Sequence, residues 1–153
     1  MADPQIPGLI DIAEEVGSSR SFAWVVDWPG WCRGDRDRLQ LPALLAATAG
    51  RYAPVAIEAG LAFVAHPTDL TAADFRMVET VAGSASTDFG VPGSVAELDR
   101  RPVDGQEAGR QAGLVRAAWA VLDQVVAGAP PMLFQPLAAP PLLTSQAPTS
   151  PVV

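Results

Sequence analysis

The sequence predicts an α+β fold: a small antiparallel sheet packed by helices, then a long amphipathic helix and a disordered proline-rich tail. Three observations lead there. An apolar strand from Ser21 to Val26 runs directly into the tryptophan-flanked turn Trp28-Pro29-Gly30-Trp31. Apolar residues between Gln106 and Val126 recur at alternating spacings of four and three, the signature of an amphipathic helix. After Asp123 no charged residue occurs in the last 30 positions, while Pro130, Pro131, Pro136, Pro140, Pro141, Pro148 and Pro151 fall among them, which excludes a regular helix. The chain therefore divides into an α+β region over 1–104, a helix over 105–129 and a tail over 130–153.

Ile10 to Glu14 alternates apolar and mostly polar residues, the pattern of a half-exposed strand, and Gly17-Ser18-Ser19 supplies a turn. Next, Ser21 to Val26 places Phe22, Trp24 and Val26 on one face and Ala23 and Val25 on the other. Both faces are apolar, so it reads as a central strand hairpinned to the first. Pro29 presets φ and Gly30 tolerates a positive φ, which makes a type II turn. Gly34-Asp35 reads as a second turn. Arg36 to Ala49 reads as a helix with Leu39, Leu44 and Leu45 inward, Pro42 in its first turn and Gly50 closing it. A short helix from Arg51 to Ala59 follows, ended by Gly60. Leu61 to Phe63 is a weak strand or a connecting segment. Asp74 to Val81 is a strand with Phe75, Met77 and Val81 on one face, and the Gly, Ser, Asp and Pro content of 83–104 predicts an extended loop.

In the helix from Gln106 to Val126, Ala108, Ala112, Val115, Trp119, Leu122 and Val126 form one stripe. Leu114, Ala118, Val121 and Val125 form a second beside it. Two adjacent stripes exceed what one sheet covers, so this helix is expected to meet other helices or a partner chain.

Composition narrows the chemistry. At 153 residues the chain makes one domain able to bury roughly two thirds of its unfolded surface. Its apolar stretches stop well short of the roughly 18 residues a membrane span needs, and MADPQIPG resembles no signal or transit peptide, so a soluble cytoplasmic protein is expected. A net charge of −7 with ten scattered arginines argues against nucleic acid as a partner. Lysine and asparagine are absent, which suggests a GC-rich genome and removes phosphate-loop and Schiff-base lysines. One cysteine, Cys32, and one histidine, His66, cannot fill a four-ligand zinc site. No cofactor or metal is expected.

Candidate sites are few. Cys32 beside Arg33 suits a depressed thiol pKa, and with His66 it would make a nucleophile pair, but no nucleophile signature surrounds it and packing is the preferred reading. Asp88-Phe89-Gly90 matches a kinase triplet without its lysine or glycine-rich loop, and Arg33-Gly34-Asp35 is a chance tripeptide. Glu14-Glu15 and Asp35 with Asp37 read as solvated surface. The group Trp24, Trp28 and Trp31 with Arg33 is carried forward as a partner-binding candidate beside a core-corner reading, because Trp and Arg dominate hot spots. Trp28, Trp31, Arg33 and Trp119 are the candidate partner-binding residues.

The run Asp27-Trp28-Pro29-Gly30-Trp31-Cys32-Arg33-Gly34, between a strand and a helix, resembles the turn of HicB-type antitoxin domains over roughly 10–60. That resemblance implies a small sheet carrying a helix on one face and a role in binding a protein. The Trp-Pro-Gly-Trp-Cys-Arg block, Arg51 to Pro54 and Thr87 to Gly90 also resemble an uncharacterised actinobacterial group whose members continue into a DinB-like helical bundle. Its first helix would correspond to Gln106 to Val126. On this reading the chain is a truncated or frame-shifted form of a longer protein. The expected function is a non-enzymatic protein-interaction module with a protein partner or self-association; the alternative is the inactive amino-terminal part of a DinB-like metal-dependent enzyme.

Overall fold

A computed structural model describes residues 8–130 as a four-stranded sheet with three α-helices. The expected tail over 130–153 lies, apart from Pro130, outside the described residues. Strands β1 (Ile10–Val16), β2 (Ser21–Val25) and β3 (Cys32–Asp35) form an antiparallel meander. Helix α1 (Leu41–Glu58) then crosses one face of the sheet and leads to β4 (Phe75–Ala82), which pairs parallel with β1 at the other side. The sheet order is β3-β2-β1-β4, so the fold is α+β with a mixed sheet.

The turn after β2 forms as its residues dictate: Gly30 has φ +94°, and the Trp31 N–H donates to the Trp28 carbonyl at 3.0 Å. Gly34 and Asp35, expected as a turn, instead finish β3. Glycine lets the Phe22 ring on β2 lie over position 34, where a Cβ would sit 2.3 Å from the ring edge and force the ring to move.

The helix expected over Arg36 to Ala49 and the short one over Arg51 to Ala59 are one, which starts at Leu41 rather than Arg36. Pro42 occupies its first turn, as expected, and Pro54 lies inside it. The ring of Pro54 denies a hydrogen bond to the carbonyl four residues back, which belongs to exposed Gly50 and so faces water. The helix ends at a left-handed Gly60 (φ +69°), with Gly60 N–H donating to Ile57 and Leu61 N–H to Ala56, a Schellman arrangement. Leu39 was expected to point inward but is 79% exposed, because it belongs to a separate 3-10 turn, Arg38–Gln40.

The main core lies between α1 and the sheet and comprises Ile12, Ala23, Val25, Trp31, Leu41, Leu45, Ala49 and Tyr52. On β2 it is the small face, Ala23 and Val25, that α1 covers most closely. β1 is buried across both faces rather than half-exposed, since β2 and β4 flank it and packing covers both sides. A bulge opposite Ile12 and Ala13 inserts Val78 into β4. It pairs Met77 with Ile12 but Val81 with Glu15, so Met77 and Val81 lie on opposite faces, contrary to the alternation of the sequence.

The segment after β4 is not an extended loop. It holds α2 (Ala85–Phe89), a 3-10 turn at Leu98–Arg100, and a layer over the second face of the sheet with Thr87 and Ala96 fully buried. A capping box at Ser84 and Thr87 opens α2 and left-handed Gly90 closes it. Helix α3 (Gly105–Gly128) is capped by Asp104, whose carboxylate accepts from the Glu107 N–H at 2.8 Å, and packs against α1.

Candidate interaction surface

The tryptophan turn is a core corner. Trp31 is 1% exposed, stacks on Tyr52 at 5.8 Å between ring centroids, and lies 5.4 Å from Phe63 and 5.8 Å from Phe75. Its indole N–H donates to the Leu45 carbonyl at 3.1 Å, and Tyr52 O–H donates to the Pro29 carbonyl at 2.9 Å, which ties the turn to α1. As a candidate partner-binding residue Trp31 is therefore corrected: its surface is spent inside the chain. Trp28 is half-buried, with its ring edge-on to Phe63 at 4.9 Å and under the Arg110 guanidinium at 5.1 Å. Arg33 is half-buried and donates to the Cys32 carbonyl at 2.6 Å. It lines a shallow cleft of about 160 Å³ with Thr48 and Arg51.

The acidic pair on β1 overturns its expected reading. Glu14 and Glu15 are 2% and 1% exposed and, as neighbours in a strand, point to opposite faces. Glu14 is held by Arg38 at 2.5 Å and by the Thr80 hydroxyl at 2.9 Å. Among the described residues Glu15 meets no cation. It accepts from the Thr87 hydroxyl, from Ser94 N–H at 2.8 Å and from Gly93 N–H at 3.0 Å. Burial pushes its carboxyl upward, but these donors outweigh it and hold the group below its ordinary range. Glu15 thus fastens the layer after β4 to the sheet, a role that side-chain alternation hides.

Cys32 is half-buried, and burial pushes its thiol up against the opposing influence of Arg33, so the environment disfavours a nucleophilic thiolate. His66 is exposed in the connection after α1. Asp88 serves the β1–β2 turn, accepting from Ser19 N–H at 2.7 Å and Arg20 N–H at 3.2 Å. Asp37 caps the 3-10 turn by accepting from Leu39 N–H at 3.0 Å. Among the described residues no group of three or more His, Cys, Asp and Glu side chains is placed to hold a metal, and no helix is long and apolar enough to cross a membrane.

Helix α3 supplies the remaining surface. Its inward stripe is Glu107, Arg110, Leu114, Ala117 and Val121, with Leu114 and Ala117 buried. Arg110 clamps the helix to the turn: it donates to the Asp27 carbonyl at 2.5 Å, pairs with Glu107 at 3.1 Å and covers Trp28. The stripe that carries the sequence periodicity points elsewhere. Val115 is 56% exposed, Trp119 64%, Leu122 48% and Val126 46%. Ala108 and Ala112 extend the same exposed line, and Ala118 and Val125 border it. This is a continuous apolar ridge on a rigid helix, and Trp119 stands at its middle. Other exposed apolar side chains, such as Leu39, Ile57 and Phe89, belong to separate elements.

Comparison with protein-family models, curated proteins and solved structures finds no match to this chain.

Proposed function

We propose that this chain is a non-enzymatic protein-interaction module whose working surface is the outward ridge of α3. One observation carries the reading: Trp119, the largest side chain on the helix, is mostly solvent-exposed in line with Val115, Leu122 and Val126. Exposed apolar patches of several hundred Å² mark interaction sites, and tryptophan is enriched among residues that dominate binding energy. The ridge offers no carboxylate, thiol or imidazole, so it recognises by burial of apolar surface. Its partner presents an apolar face of helical dimensions.

The experiment is site-specific photocrosslinking in cells of the source organism. A photoreactive phenylalanine at position 119 is expected to give a protein adduct on irradiation, and the same group at exposed Ala43 on α1 is expected to give none. No adduct at 119 above the Ala43 control would overturn the proposal.

A further inference from the structure

We infer that the ridge of α3 is a homodimer seam, closed by the same helix of a second copy running antiparallel. The inference rests on the interaction-module reading and adds the identity of the partner.

The first support is periodicity. Ala108, Ala112, Val115, Trp119, Leu122 and Val126 alternate in steps of four and three, the 3.5-residue repeat of a coiled-coil seam. Ala112, Trp119 and Val126 take one seam position, and Ala108, Val115 and Leu122 the other.

The second support is charge. Arg116 and Asp123 are exposed, one heptad apart on the same flank of the seam, and among the described residues neither forms an ion pair within its own chain. In an antiparallel pair with its two-fold axis near Ala120 and Val121, Trp119 packs on Leu122 of the partner subunit and Val115 on Val126 of the partner subunit. The same register sets Arg116 beside Asp123 of the partner subunit, and symmetry repeats that pair. Ala118 meets Val125 of the partner subunit on the other flank, which covers a valine otherwise 64% exposed. A parallel pair sets Asp123 against alanine and Arg116 against glutamine and gains no ion pair. One helix face is thus complementary to itself in one orientation.

The third support is space. The intrachain contacts of α3 are concentrated toward its amino-terminal side, whereas residues 122–128 are exposed around the whole helix. Antiparallel pairing lays each projecting end along the partner's α3 and keeps the two bodies on opposite sides of the axis. The exposed apolar side chains amount to about 500 Å² per copy, so the pair buries roughly 1,000 Å², the lower bound of a specific interface. At that size a weak, reversible dimer is expected.

Sedimentation equilibrium of the full chain over a concentration series tests it. The unaltered protein should pass from monomer to dimer, and Trp119→Glu should remain monomeric with an unchanged circular dichroism spectrum and, at concentrations where the unaltered protein is monomeric, an unchanged melting temperature. Each of Arg116→Asp and Asp123→Arg should weaken the dimer by roughly tenfold, because symmetry places each change at two pairs. The double variant should return to within about twofold of the original. A monomer at every concentration would overturn the homodimer; an adduct from position 119 to a different protein would then leave the interaction-module reading standing, and its absence would remove both. A dimer indifferent to Trp119→Glu places the contact elsewhere and overturns the inference, as does a double variant that fails to recover.

Discussion

Glu15→Gln probes whether the layer after β4 is fastened to the sheet by a buried charge. The carboxylate accepts from Thr87 on one oxygen and from the Gly93 and Ser94 N–H groups on the other. Glutamine keeps the shape. Its better orientation turns the amide nitrogen toward Thr87, whose hydroxyl also accepts from Ser84 N–H and must then find a new acceptor for its own proton. The two backbone bonds persist without charge assistance, at about 1 kcal/mol each, and the displaced hydroxyl adds a fraction more, for about 2–3 kcal/mol in total. At a chain of this size that corresponds to a fall in Tm of about 10 °C. The assay is thermal unfolding by circular dichroism from pH 7 down to pH 3. Because the folded carboxyl titrates below its ordinary value of 4.5, its stabilisation is complete above that value and is lost as pH falls through the folded value. The gap between wild type and Glu15→Gln should therefore narrow below pH 4.5. Equal melting temperatures at pH 7, or a gap that stays constant on acidification, would refute the reasoning.

Two further outcomes follow from the same geometry. Trp31→Ala should cost about 3–5 kcal/mol in urea unfolding by removing the centre of the aromatic corner, whereas Trp31→Phe should cost only about 1–2 kcal/mol because the Leu45 carbonyl also accepts from the Thr48 hydroxyl at 3.0 Å; similar losses for both would show that the corner does not depend on ring packing. Cys32 should react with iodoacetamide at pH 7 more slowly than the same thiol in urea, since burial raises it above its ordinary 9.0; faster reaction in the folded protein would restore Cys32 as a nucleophile.

What the sequence made legible is what local rules decide. β2, the turn at Pro29 and Gly30, and most of α3 rest on side-chain period and on proline and glycine φ preferences, all within a few residues of where they act. Tertiary context governs the rest. Gly50 looks like a helix end, yet α1 runs through it because burial of Leu45, Ala49, Tyr52 and Ala56 on one face outweighs its local cost. Gly34 reads as a turn until the Phe22 ring is seen lying over it. The Val78 bulge moves Val81 to the other face, a change of phase that alternation cannot report. Glu14 and Glu15 look solvated because the donors that permit their burial, Arg38 and Thr80 for the first and Thr87 for the second, lie 24 to 72 positions away, and only folding brings them near.

The same division explains the candidate surface. Sequence periodicity recognised two apolar stripes on α3 but held no information on how the helix would be turned: Leu114 and Val121 of the second stripe face the body, while its Ala118 and Val125 stay exposed beside the first. The fold resolves this through Arg110: its bond to Asp27 and its stacking on Trp28 fix the rotation of the helix about its axis. With Arg110 pinned, Leu114 and Ala117 must face α1, and Val115 and Trp119, displaced around the helix, must face away. Trp28 thus reaches the interaction surface indirectly, as the anchor that aims α3. Trp119 remains exposed because the orientation that seats Arg110 and Leu114 against the body leaves the neighbouring ridge no surface to meet among the described residues.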